Sequence, residues 1–596
     1  MPSQPLPCHY QPLPYMVVDF NSRSAETAFW TKSKNQWSKI LWAEYQKDIY
    51  KMSRFLSSDE LSLTGKVGIV CSTRYEWSVI DLASQCAKKT LVPIYPASTA
   101  EEMSYILNHA EVEILFLENK AQVKVWDKIS AACPHVKKIV LIDKFDLIDS
   151  VIQSWDQILD RTITSEDIKK IRTRINTIRL DDEATIVYTS GTTGNPKGVV
   201  LTHQQIVSEV IEAFSSCQVS IQDRSLTFLP FSHVFGRIEN WAHAYFGYEM
   251  AFAENLESIK NNLIEMNPTF AFAVPRIFEK VYMTVISGIE NNQLKRTFFD
   301  WALMHKQAQL DKQEKYEQVP IKNWLLSEIA QKMILDKVKK AFGKRLRFFI
   351  SGGAPLNPVI GEFFSRCGVL ILEGYGLTET TAAIFVNTPF DHKVGTVGKA
   401  IGDVQIKLAE DHEILVKSHK VMVKYYKDEK ATNAVFEDGW LKTGDIGELL
   451  PSGHLRITDR KKDLIKTANG KYVAPQKIEG LIKLNPLIAN SLIHGDQKKY
   501  IIALLSIDHA QAKKWAQNNG IDVSDIKLIV QNPKFTDEIR QHMIKINSEL
   551  ANHESVKKYQ VIEDEFTIEN GSLTHSLKVK RKFLDAKYKT IINSLY

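Results

Sequence analysis

From Gly65 onward the chain alternates short apolar runs with helical patterns, and no other feature restricts its fold as tightly. Val67-Gly68-Ile69-Val70 reads as a strand, Glu76 to Ala87 as a helix, and Thr90 to Ile94 as a strand ended by prolines. Ile114 to Leu117 and Lys138 to Ile142 are further strands. Short apolar runs that alternate with helices suit strands buried on both faces, so the expected core is a largely parallel α/β sheet. From about Met283 to Lys344 the pattern turns helical and charged. Phe348-Phe349-Ile350 then returns to strand and opens into Ser351-Gly352-Gly353-Ala354-Pro355. After Gly395, short alternating segments with Gly-Asp, Asp-Gly and Ser-Gly turns read as a small β-rich subdomain.

At 596 residues the chain is long for a single core. The charged junction Asp459-Arg460-Lys461-Lys462-Asp463 precedes mixed strands and helices and marks a boundary. The expected organisation is an N-terminal arm over 1–34, partly extended around its repeated Gln-Pro-Leu-Pro, then a large domain of βα-type sheets over 35–459. A small mobile α+β domain over 460–596 completes it. A net charge of +6 on so large a surface gives no argument for nucleic acid, though it allows contact with an anionic membrane or ligand. The six cysteines are scattered without a CxxC, which suits reduced thiols in the cytoplasm. No apolar run approaches the ~20 residues that a spanning helix needs.

Tyr188 to His203, YTSGTTGNPKGVVLTH, crowds hydroxyls, glycines and one lysine into a single loop. Thr185 to Tyr188 is apolar and β-branched, and Val199-Val200-Leu201 resumes the apolar run, so the loop joins a strand to another strand or a helix. Thr202 stands three residues before Gln205, a capping-box signature. Glycines let backbone N–H groups approach a ligand, hydroxyls add donors, and Lys197 adds a point charge, which together suit phosphate oxygens. A Walker A loop is excluded by spacing, because Lys197 lies between Pro196 and Gly198 with no hydroxyl at the metal position.

Glu373-Gly374-Tyr375-Gly376-Leu377-Thr378-Glu379-Thr380, Thr443-Gly444-Asp445, Asp459-Arg460 and Lys578-Val579-Lys580-Arg581 follow in order. With the loop, they resemble the adenylate-forming superfamily of acyl-CoA synthetases, adenylation domains and luciferases, from about Asn35 to Lys582. The resemblance implies a phosphate loop of Thr189, Ser190, Gly191, Thr192, Thr193, Gly194 and Lys197 for ATP. It implies an adenine slot at Gly352, Gly353 and Ala354, within a nucleotide site that also takes in Glu373, Gly374 and Gly376, with Tyr375 stacking on the base. Thr378 would contact the α-phosphate, Glu379 would ligate magnesium, and Asp445 and Arg460 would reach the ribose. Lys462 matches the hinge, Gly470 the hairpin that lines the thiol path, and Lys578 the lysine at the reacting carboxylate. The chain departs from the family at His575, where proline is frequent, and at Lys424, where glycine is usual.

Phe228 to Arg237 and Ala273 to Lys280 are similar to motifs of long-chain fatty acid–CoA ligases. They imply that Ser232-His233 orders the acid pocket, and aromatics from Trp241 to Phe272 could wall an apolar tunnel. Without Gly-x-Ser-x-Gly around Ser232, a hydrolase nucleophile is not indicated. The implied reaction uses ATP, magnesium and coenzyme A on a fatty acid. Transfer to a carrier protein, or a non-catalytic acyl-adenylate or lipid-binding role, remain alternatives. The basic run Lys337, Lys339, Lys340, Lys344, Arg345 and Arg347 beside Ile334, Val338 and Phe342 could seat on a membrane, attract coenzyme A, or be a solvated helix face. Oligomeric state and chain-length preference are not encoded legibly.

Overall fold

In the computed structural model the chain is described over residues 10–58, 61–62, 64–144, 152–189, 195–290, 292–314, 320–567, 570–574 and 579–596. Two large mixed sheets organise the first part. One runs, by strand order, Lys424–Tyr425, Lys197–Thr202, Glu183–Thr189, Leu91–Ile94, Lys66–Val70, Val112–Leu117, Lys138–Leu141, Ile152–Ser154. It is parallel from Glu183–Thr189 to Ile152–Ser154 and antiparallel at the other edge. The second has a parallel centre built from Ile371–Tyr375, Phe348–Ser351, Phe270–Ala273, Arg224–Thr227 and Glu249–Phe252.

The helices Tyr75–Cys86, His203–Ser216 and Val234–Phe246 share one apolar core with strands of both sheets. Tyr75–Cys86 is buried from Trp77 to Cys86 without a break. A helix buried all round lies between layers rather than on a surface. At its centre Asp81 meets Arg237 of Val234–Phe246, both fully buried, with Arg237 Nη2 2.6 Å from Oδ1 and Nε 3.0 Å from Oδ2. Asp81 also accepts from Gln85, Asn240 and Trp241, and Arg237 lies over the rings of Trp77 and Trp241 while donating to Thr185 Oγ1.

Over its described residues, 10–34, the arm expected over 1–34 is instead folded into the large unit. Leu13, Val17 and Phe20 are fully buried, and Thr27–Ser33 extends the second sheet by pairing in parallel with Glu249–Phe252. Repeated prolines suggested extension, but Pro14 begins a short helix, where a missing N–H costs nothing.

A five-stranded antiparallel sheet of Gln405–Leu408, Glu413–Lys417, Trp440–Leu449, Phe436–Glu437 and Leu455–Arg460 forms the β-rich subdomain. Beyond it, Ile488–His494, Ile501–Ile507 and Val556–Ile562 form a sheet packed with Pro475–Ile482 and Pro533–Glu549 around its own core. Between the two units the apolar clusters stay separate among the described residues, except that Leu484 packs on the large unit. The recorded links are otherwise polar: Asn357 to Gly480 O at 2.8 Å, Arg276 to Ala489 O at 3.1 Å, Lys483 to Glu279 at 3.4 Å, and Gln476 N to Asp459 at 3.4 Å.

Candidate active site

The loop after Tyr188 joins two antiparallel strands, with Thr189 opposite Lys197. Ser190, Gly191, Thr192, Thr193 and Gly194 lie outside the described residues, as does Lys578. Thr202 begins the following helix and its N–H donates to Gln205 Oε1 at 2.7 Å, as the capping pattern requires. Lys424–Tyr425 pairs with this same strand. That pairing brings Tyr425 beneath Lys197, whose Nζ stands 5.0 Å from the ring centroid, and the Tyr425 hydroxyl donates to Glu379 Oε1 at 2.8 Å. Burial and the Glu379 charge push the Tyr425 hydroxyl well up, so it stays a donor. The base of the loop after Tyr188 and Glu379 are therefore joined through Tyr425. Sequence reasoning left this residue without a role, and its only signal was its place beside the unusual Lys424.

The strand Phe348–Ser351 runs parallel to Ile371–Tyr375, with Ser351 opposite Glu373. Gly352 is fixed by close approach: a Cβ there would lie 3.0 Å from the Phe235 ring. Gly353 has φ +79° and faces open space, and Ala354 is exposed, so the loop presents bare backbone. Glu373 accepts from Leu356 N at 3.3 Å and so anchors this loop from the neighbouring strand.

Burial pushes the Glu373 carboxyl from its ordinary 4.5 up to about 7, against the pull of the Leu356 and Gly395 N–H groups. The native state then holds a proton that the unfolded chain releases, so this group's contribution is full below 4.5 and is lost as pH rises through 7. Glu373→Gln is expected to match wild type near about pH 5 and to melt higher at about pH 8. Thermal melts at both values check it, and an unchanged difference between them overturns it.

Tyr375 is 9% exposed and packs with Ile384, Phe385, Ile414, Val416 and Leu455. Its hydroxyl donates to Asp445 Oδ2 at 2.8 Å, and Arg460 Nε lies 3.1 Å from Asp445 Oδ1. Asp445 and Arg460 are themselves paired across adjacent strands. Gly376 tolerates no side chain, since a Cβ would fall 1.3 Å from the Ala382 carbonyl oxygen. The turn that follows carries Thr378 and Glu379, and is held by Thr380, which accepts from Leu377 N at 2.8 Å, and by Thr381, which donates to Lys420 O at 2.7 Å. Gly374 lies in the strand between Glu373 and Tyr375. One short stretch thus carries Glu373, Tyr375, Thr378 and Glu379, and links the Asp445–Arg460 cluster to the Lys197–Tyr425 cluster.

His233 caps the helix Val234–Phe246, its Nδ1 accepting from Phe235 N at 3.1 Å. In the neutral ring the proton therefore sits on Nε2. Lys462 follows Arg460 in the turn between units, and burial followed by the Arg460 charge pulls its ammonium pKa down. Gly470 adopts φ +74° in the hairpin of Ile465–Lys466 and Tyr472–Val473. Among the described residues the hairpin's hydrogen bonds beyond itself run to Asp496, Gln497 and Lys498, all within the small unit.

Two pocket motifs read differently in three dimensions. Trp241, Phe252, Phe270 and Phe272 are at most 5% exposed; Trp241 lies under Arg237, and the phenylalanines pack ring against ring, with Phe252 on Phe29 and Phe231, Phe272 on Phe214 and Phe235, and Phe270 on Tyr248 and Phe348. They are core, and Phe235 is the ring of this group that reaches Gly352. Arg237 is locked to Asp81, while Arg276 and Glu279 hold the small unit.

The AMP-binding enzyme model matches residues 20–426, and the AMP-binding enzyme C-terminal domain matches 462–596. Long-chain-fatty-acid–CoA ligase FadD15 of Mycobacterium bovis is 32% identical over 94% of this chain and 92% of its own length. Human long-chain-fatty-acid–CoA ligase 1 is 30% identical over 89% of this chain and 78% of its own. The adenylation domain of a carboxylate reductase from Mycobacterium chelonae superposes with a TM-score of 0.74 at 19% identity, covering 98% of this chain and 90% of that one. The chain belongs to the AMP-binding enzyme family.

Proposed function

We propose that this chain is a long-chain fatty acid–CoA ligase. The observation that carries the substrate class is the similarity to two such ligases at 30–32% identity over about nine-tenths of the chain. In the first step a carboxylate oxygen attacks the α-phosphorus of ATP, the bond to the bridging oxygen breaks, and pyrophosphate leaves. In the second, the coenzyme A sulfur attacks the acyl carbonyl, the thiol proton is lost, and AMP leaves. A carboxylate is already a nucleophile, so alignment and charge neutralisation matter more than a base.

The loop from Thr189 through Ser190, Gly191, Thr192, Thr193 and Gly194 to Lys197 holds the β- and γ-phosphates. Gly352, Gly353 and Ala354 admit the flat base beside Tyr375, and Asp445 and Arg460 take the ribose hydroxyls. Thr378 donates to the α-phosphate, Lys578 reaches the reacting carboxylate, and His233 orders the acid end. Lys462 is the hinge, and the Gly470 hairpin lines the thiol path once the small unit turns.

Glu379 fits magnesium as a single protein ligand. One of its oxygens is taken by Tyr425, and no group of three or more His, Cys, Asp or Glu side chains suited to a metal gathers among the described residues. The remaining positions would fall to phosphate oxygens and water, the usual arrangement for this ion. When bound, the cation supplies charge neutralisation at the phosphates. No described helix is long and apolar enough to cross a membrane, and we place the enzyme in the cytoplasm with peripheral lipid contact.

The test is purified protein with ATP, magnesium and an acid series, scored for acyl-adenylate and acyl-CoA with and without coenzyme A. Acids of roughly 12 to 18 carbons are expected to outcompete acetate and benzoate, since each buried CH₂ is worth about 0.8 kcal/mol. Equal turnover of acetate or benzoate would remove the long-chain assignment. Acyl-adenylate that never becomes thioester with coenzyme A would point to a carrier-protein acceptor.

A further inference from the structure

The helix Ile321–Ala330 is packed inside out. Ser327 and Ala330 are fully buried on one side, while Ile321 is 84%, Leu325 52% and Ile329 39% exposed at intervals of four, with Trp324 49% exposed beside them. Soluble helices bury their large apolar stripe, so an outward stripe needs an occupant. The helix packs against Gln293–Glu314, and Ser327 donates to Gln309 from the inner side. On that partner helix Leu294 and Phe298, four residues apart, are 73% and 63% exposed, and Met333 just beyond Ala330 is 65% exposed.

Charge identifies the occupant. Residues 293–347 carry thirteen lysines and arginines against six carboxylates, a net of +7, whereas the whole chain is +6. This lobe holds the entire positive excess, and the rest of the chain is close to neutral. Lys322 and Lys332 stand exposed along the apolar stripe itself. A second copy of this chain would bring the same cationic surface against itself, which disfavours a self-complementary interface.

We propose that the outer face of Ile321–Ala330, with Met333 and the exposed residues of Gln293–Glu314, docks on an anionic lipid surface. The apolar side chains enter the acyl boundary, Trp324 sits at headgroup level, and the lysines meet the lipid charges. The run from Lys337 to Arg347, which the sequence offered as the seat, adds charge but no insertion. Val338 and Phe342 are 6% and 2% exposed, and Arg347 is paired with Asp223 at 2.9 Å. None of these residues is among those assigned to the reaction, and the proposal rests on the peripheral lipid contact placed above by naming the surface that makes it.

The experiment is flotation of the full-length protein with vesicles of phosphatidylcholine alone or an equal mix with phosphatidylglycerol, at low and high salt. Wild type is expected to float with the anionic vesicles at low salt, at least about tenfold more than with neutral ones, and to be released by salt that screens surface charge. Ile321→Ser/Leu325→Ser/Ile329→Ser is expected to lower binding by on the order of tenfold or more, with melting temperature and turnover of a detergent-dispersed acid unchanged. Lys322→Glu/Lys332→Glu is expected to lose the preference for anionic vesicles. The proposal is overturned if wild type does not float, or if the serine variant floats equally. It is also overturned if sedimentation shows a wild-type dimer that the serine substitutions dissociate, because a second copy then covers the face.

Discussion

Asp81→Ala is expected to destabilise the large unit by about 3–5 kcal/mol, because it strands a fully buried guanidinium. Arg237 has no exposure, and Asp81, its carboxylate partner among the described residues, takes two of its N–H groups. The neighbouring Trp77 and Trp241 faces soften the loss but cannot replace a counter-ion. The double change Asp81→Leu/Arg237→Met removes both charges and keeps similar volume, so it is expected to recover part of the loss. Full recovery is not expected, since Asn240 and Trp241 also donate to Asp81 and would be left buried without an acceptor. Urea unfolding of the three proteins reads this directly. A single variant as stable as wild type would mean that water reaches Arg237, contrary to its burial.

Lys578→Ala is expected to lower ATP–pyrophosphate exchange by ~10²–10³, the usual cost of losing one aimed donor in a dry site. Conversion of pre-made acyl-adenylate and coenzyme A into thioester should stay near the wild-type rate. The reason lies in how the lysine's segment is tethered. Leu573 and Val579, which flank Lys578 in the chain, pair with each other, and Arg581 donates to both oxygens of Glu479 at 2.8 and 2.7 Å. Glu479 belongs to Pro475–Ile482 and also accepts from Ile493 N at 2.8 Å, so the residues flanking Lys578 move with the small unit. Gly470→Leu is expected to reverse the pattern, blocking thiol delivery while leaving exchange largely intact. Gly470→Asn is the control for backbone strain, because asparagine tolerates the φ of +74° that leucine resists. Each half-reaction is measured separately on each variant. If Lys578→Ala slows both halves equally, or neither, the lysine does not swing between steps.

What the sequence made legible was whatever rests on local pattern. Val67 to Val70 and Phe348 to Ile350 are apolar at nearly every position and became strands; Thr202 and Gln205 capped their helix. The hairpin at Gly470 formed, but its turn centres on Ala468-Asn469, with Gly470 N on Thr467 O at 2.8 Å and Gly470 taking the positive φ that follows such a turn. What stayed hidden depends on pairings distant in the chain. The two-residue strand Lys424–Tyr425 has no periodicity of its own, and only its pairing with Val199 and Val200 places Tyr425 at Glu379. Aromatic composition between Trp241 and Phe272 could not separate a tunnel wall from a core, because both want the same side chains. The basic run after Asp336 showed its charge in one dimension, yet which of its apolar neighbours face inward is decided by packing.

The polar seam between the two units has a thermal consequence. Turning one unit against the other exchanges a few hydrogen bonds for water and uncovers little apolar area beyond Leu484. Heat-capacity change follows exposed apolar surface. The two orientations should therefore differ little in heat capacity, so the logarithm of their ratio should run straight against reciprocal temperature, while the stability of both cores follows a curve.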